Sequence, residues 1–113
     1  MMNLPEEGYL LRIFIGESEK LEDKPLYEWI VMKAKKDGLA GATVLRGMMG
    51  FGPSSEIATT KILRLSADLP IVIELVDRRE KLEEFLNEIN GVIEEGLVTL
   101  EKAHIKIYRG RKA

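Results

Sequence analysis

Arg46 and the glycines after it, Gly47, Gly50 and Gly52, are the residues whose types and spacing could do chemistry. They lie in the stretch Gly41 to Gly52, GATVLRGMMGFG, where a strand-forming run, Thr43-Val44-Leu45, leads into the arginine. Glycine admits positive φ and leaves room for another atom to approach the backbone. Exposed amides in such a turn make a concave anion site, and a neighbouring guanidinium adds a bidentate donor. The chemistry would be capture of a small anionic ligand. The simpler reading, which spacing alone favours, is the flexible start of a loop.

No other part of the chain offers a catalytic constellation. His104 is the sole histidine and reads as structural, since a metal site needs several converging ligands and Glu101 does not complete one. There is no GxSxG, no cysteine and no Ser–His pairing. The glycine series is neither GxGxxG between a strand and a helix nor GxxxxGK[ST], so a Rossmann domain or a P-loop enzyme is unsupported. The carboxylates fall mostly on helix faces, as solvated charge.

The chain has 113 residues, the length of one domain, which buries roughly 60–70% of its unfolded surface. Apolar residues make up 45% and charged residues 32%, the balance of a soluble globular protein. A net charge of −2, from 17 basic and 19 acidic residues, argues against a general nucleic-acid binder. No apolar run approaches the ~20 residues of a membrane span, and the N-terminus lacks the basic n-region of a signal peptide. With no cysteine, disulfides and thiolate metal sites are excluded, and a cytoplasmic location is expected. The absence of glutamine beside abundant Glu and Lys leans towards a thermophilic source.

The elements that must position the site follow from periodicity. Tyr9 to Ile15 alternates as a strand, with Leu11, Ile13 and Ile15 on one face and Leu10, Arg12 and Phe14 on the other. That second face is apolar enough to be covered by another subunit. After the charged segment Glu17 to Asp23, a helix is predicted to about Asp37, with Asp23 as N-cap and Pro25 in the first turn. Leu26, Trp29, Ile30 and Ala34 form its apolar stripe, and Gly38 is the expected stop.

Ala42 to Arg46 is a second strand. From Gly47 to about Ser66 no period is sustained, as in a functional or disordered loop. Pro53 to Thr60 has few apolar anchors and is expected to be among the most mobile parts of the unliganded chain. Lys61 to Leu65 reads as a short strand at the far stem. Ile71 to Val76, IVIELV, is a central strand buried on both faces, with Glu74 near an edge or a polar partner. It has no aromatic residue, which an RNA-recognition domain needs there. Asp77, with Glu80 three residues on, reads as the capping box of a second helix carrying Leu82, Phe85, Leu86 and Ile89. Asn90-Gly91 ends or breaks that helix. Leu97 to Leu100 and Ala103 to Tyr108 are strand-like, with a bulge expected at Glu101-Lys102.

The order β-α-β, long loop, β-α-β predicts a ferredoxin-like α+β fold, with a four-stranded antiparallel sheet and both helices on one face.

GATVLRGMMGFG followed by SADLPIVIELVD resembles the DUF190 (UPF0166) proteins of the PII-like superfamily. Supporting pieces are Lys24-Pro25-Leu26-Tyr27, Gly38-Leu39-Ala40-Gly41-Ala42-Thr43-Val44, Arg46-Gly47 and Leu69-Pro70, and the likeness runs from about Tyr9 to Tyr108. PII signalling proteins place a Gly-Phe-Gly at the base of their long loop, matched here by Gly50-Phe51-Gly52. The resemblance implies a homotrimer. It also implies a ligand site, possibly for an adenine nucleotide, in the cleft between subunits at Arg46, Gly47, Gly50, Phe51 and Gly52. The chain departs from PII after Gly52, where Pro53-Ser54-Ser55-Glu56 replaces a basic run, and Gly91 and Gly96 do not restore a second phosphate loop. By the resemblance, Lys106, Arg109 and Arg111 are candidates to stand in for PII's C-terminal arginines, their register left open.

Three functions compete. The first is a non-enzymatic regulatory trimer that binds a small anion and signals to a protein target, without nucleic acid or membrane insertion. The second is a metal-binding trimer resembling the CutA-type relatives. The third is an enzyme with an unrecognised site.

Overall fold

The computed structural model describes residues 6–53, 57–59 and 68–111. The chain runs β1 (Glu7–Gly16), β2 (Lys20–Leu21), β3 (Lys24–Pro25), α1 (Leu26–Lys36), β4 (Gly41–Arg46), β5 (Met49–Gly50), β6 (Ala58–Thr59), β7 (Pro70–Asp77), α2 (Arg79–Ile89) and β8 (Leu97–His104). The main sheet has the order β4-β7-β1-β8, with β7 antiparallel to β4 and β1, and β1 antiparallel to β8. This is the expected ferredoxin-like arrangement.

Alternation decides which residues enter the core. Leu11, Ile13 and Ile15 of β1 face Leu75, Ile73 and Ile71 of β7, and all six are buried. Leu26, Ile30 and Ala34 of α1 and Leu82, Phe85 and Ile89 of α2 recur at i, i+3 or i+4 and close over the same face. Helix α1 ends where Gly38 takes φ +76°, donating to Lys35 O while Leu39 donates to Ala34 O; this paired closure satisfies the last carbonyls.

Several expectations are corrected. Asp23 is not the N-cap of α1; Pro25 holds that position, with no side-chain cap. Glu22 (φ 52°) and Asp23 (φ 65°) form the two-residue turn between β2 and β3. Two consecutive positive φ values suit the right-handed twist of a tight hairpin, and Asp tolerates that conformation. Asp77 does not cap α2 through a capping box either. It is the last residue of β7, 1% exposed, and accepts hydrogen bonds from Arg78 N (2.6 Å) and Ala40 N (2.8 Å). The N-cap is Arg78, with no side-chain cap.

Strand β7 is central but buried on one face only. Val72, Glu74 and Val76 are half-buried, and Glu74 accepts from Arg12 Nε at 2.9 Å. No bulge interrupts the last strand, because the register with β1 runs unbroken from Phe14↔Leu97 to Glu7↔His104. The segment after Gly47 is not featureless: Met49 and Gly50 pair with Thr59 and Ala58. The strand expected at Lys61 to Leu65 lies outside the described residues, as do residues 54–56 and 60 of the segment expected to be mobile.

Among the described residues no helix or strand covers the sheet face opposite the helices. Leu45 (48% exposed) and Leu97 (55% exposed) flank half-buried Leu10, Phe14, Val72 and Val76. At its centre Arg12 bridges Glu74 and Glu101. The hydrogen bond to Glu74 is the main reason that the Arg12 guanidinium holds its proton more tightly than usual.

Candidate functional site

Strands β1 and β4 are both antiparallel to β7, so they are parallel to each other and end together. Arg46 and Ile15 both stand opposite Ile71. The loop base is therefore built where β1 and β4 finish and β7 begins.

Arg46 is the last residue of β4, with its side chain 59% exposed. Its Nε lies 2.6 Å from Glu17 Oε2, and its Nη2 donates to Glu17 Oε1 at 3.2 Å. This side-on fork occupies one edge of the guanidinium. The ion pair is made within the chain.

Gly47 donates its amide to Pro70 O at 2.7 Å, so that N–H is committed to the sheet. A Cβ on Gly47 would lie 2.6 Å from Pro70 Cγ, and one on Gly50 would lie 3.0 Å from the same atom. Neither glycine has the positive φ that its residue type permits. Both are small because the Pro70 ring packs over them. Phe51 is 76% exposed, and Met48, Met49 and Ile57 beside it are also open to solvent. Gly52 is half-buried. Thus Arg46, Gly47 and Gly50 share one end of the sheet with an uncovered apolar cluster.

Sequence reasoning missed Glu17, Asp68 and the role of Pro70. Glu17 N–H donates to Leu69 O (2.9 Å) and Ser18 N–H to Asp68 Oδ1 (2.7 Å), tying the turn after β1 to the start of β7. Topology carried a signal for Glu17. Two parallel strands with one between them lie about 10 Å apart, a gap that Glu and Arg side chains span together.

A cleft of about 510 Å³ opens at the opposite end of the uncovered face, between Leu10, Glu74 and Val76 below and Lys106, Ile107 and Tyr108 above. None of the expected site residues lines it. The chain beyond β8 folds across the sheet there, and Tyr108 Oη donates to Ala40 O at 2.8 Å. Lys106 pairs with Glu6. Within one chain Lys106 and Tyr108 stand at the far end of the sheet from Arg46. Among the described residues no group of three or more His, Cys, Asp or Glu is placed to hold a metal ion. No helix among them is long and apolar enough to cross a membrane.

A ferredoxin-like sheet with its helices on one face and a long segment between β4 and β7 gives the chain a PII-like fold. The fold matches CPII, a nitrogen regulatory PII-like protein from Thiomonas intermedia K12 with bound ADP, AMP and bicarbonate. The TM-score is 0.64 over 91% of this chain and 90% of that one, at 18% identity. A PII-like protein from Thermus thermophilus matches with TM-score 0.58 over 86% and 87% of the two chains, at 16% identity. The chain belongs to the DUF190 family (Uncharacterized ACR), matched over residues 8–105. A UPF0166 protein of Aquifex aeolicus (strain VF5) is 45% identical over 96 residues, covering 85% of this chain and 90% of the relative. One from Methanocaldococcus jannaschii is 35% identical over 102 residues, covering 89% and 92%.

Proposed function

We propose that this chain is a non-enzymatic PII-like sensor, acting in the cytoplasm as a homotrimer. It binds an adenine nucleotide in the cleft between subunits and passes its ligand state to a protein target. The observation that carries this reading is that the guanidinium of Arg46, at the end of β4, and the phenyl ring of Phe51, just past β5, are both exposed in the short segment that follows the strand. A nucleotide has the matching parts: phosphates for the guanidinium and a flat base for an aromatic face. Gly52 lets the backbone come close to the ligand, while Gly47 and Gly50, packed under the Pro70 ring, hold the turn against the sheet. The likeness of fold to CPII, whose structures hold ADP and AMP, supports the nucleotide.

The uncovered sheet face supports the trimer. Leu10, Leu45, Phe14 and Leu97 form an apolar surface of the kind that subunits cover, and each loop base would then face a neighbouring chain. The test is equilibrium binding of ADP, AMP and ATP with turnover monitored in parallel, on material whose mass is measured by light scattering. Saturable binding without turnover, on a species of three chain masses, is expected. Turnover, or a monomer that binds nothing, overturns the reading.

A further inference from the structure

We propose that Glu17 is a built-in competitor for the anion site, so that the ligand's phosphate must displace it from Arg46. This rests on the ligand-site reading above and adds its regulation. The fork between Glu17 and Arg46 uses both carboxylate oxygens, on the Nε and Nη2 donors that a phosphate would itself take side-on. The competitor is held in place. Glu17 N–H is fixed to Leu69 O, and the next amide, of Ser18, to Asp68. Gly16 N–H in turn donates to Glu19 Oε2 at 3.0 Å. Three carboxylates, those of Glu17, Glu19 and Asp68, therefore surround this turn, with Arg46 as the cation paired into it.

Two consequences follow from charge. A weak monoanion gains little by exchanging one carboxylate for another on Arg46. A di- or triphosphate brings more charge and more acceptors, so the fork raises the threshold for binding and selects polyanions. Displaced from Arg46, the Glu17 carboxylate is no longer tied to β4, while its backbone stays tied to Leu69. The ligand thereby severs the one side-chain link between the end of β4 and the turn after β1 found among the described residues.

The experiment is calorimetric titration of the whole protein with ADP and, separately, inorganic pyrophosphate, comparing wild type with Glu17→Gln and Arg46→Gln. Glu17→Gln keeps the side chain's size and removes its charge. It should tighten both probes about three- to tenfold, as an exposed ion pair of up to ~1 kcal/mol and a like-charge repulsion are lost together. Arg46→Gln should weaken both. Binding by Glu17→Gln where wild type fails would also support the competitor. Wild type that binds and depends on Arg46, with Glu17→Gln unchanged or weaker, overturns the competitor and leaves the site intact. No binding by any of the three overturns both. Circular dichroism on each variant checks folding, and the exposure of Arg46 makes loss of fold there unexpected.

Discussion

Pro70 O accepts the amide of Gly47 at 2.7 Å while its ring stands 2.6 Å from where a Cβ on Gly47 would lie. The proline thus fixes the residue that follows β4 twice, by a hydrogen bond and by excluding a side chain. Its ring cannot swing away like the end of a flexible chain. Gly47→Ala should cost about 1–3 kcal/mol through overpacking, read as a lower midpoint in urea with an unchanged slope. An alanine variant as stable as wild type would mean that the loop base yields freely.

Asp77 joins three segments. Its buried carboxylate accepts from Ala40 N and Arg78 N, and Lys81 Nζ lies 4.0 Å from it while donating to Gly38 O at 2.7 Å. Asp77→Ala leaves two amides without their acceptor and should cost about 3 kcal/mol by chemical denaturation. Asp77→Asn retains an acceptor oxygen and should cost less. Equal losses for the two variants would contradict the hydrogen-bond account.

Lys33 gives the pH dependence a sign. Its hydrogen bond to Asp37, with the charge of Glu88 adding to it, raises its pKa above the ordinary 10.5. A group whose folded pKa is raised stabilises fully below its unfolded value, and that contribution fades as pH rises through the folded value. Lys33→Met should therefore melt below wild type at pH 9, and the gap should close at pH well above 10.5. A gap that persists there would show that Lys33 acts through packing.

Much of this architecture was legible because burial imposes a period. The alternation of Leu11, Ile13 and Ile15 and the helical spacing of Leu82, Phe85 and Ile89 leave one solution for which face is covered. Local chemistry was less legible where one residue type serves two purposes. Asp23 has the composition of an N-cap, yet its tolerance of positive φ is used in a hairpin turn. Asp77 sits where a cap should be, but its oxygens serve a neighbouring loop as well as the helix start. The glycines after Arg46 suggested an anion cradle, and for Gly47 and Gly50 the local cause is the bulk of Pro70, far away in sequence. Glu17 was hidden for a similar reason: its partner is distant in sequence, and only strand order brings the two together.

The most direct test of the nucleotide sensor is a calorimetric titration of wild type and Gly52→Val with ADP. A valine at position 52 restricts the backbone and obstructs close approach of a ligand. We predict saturable binding by wild type at one ADP per chain, and affinity at least tenfold weaker for Gly52→Val, with the oligomer unchanged by light scattering. Equal affinity in the two proteins, or no binding by wild type at millimolar ADP, would contradict the account.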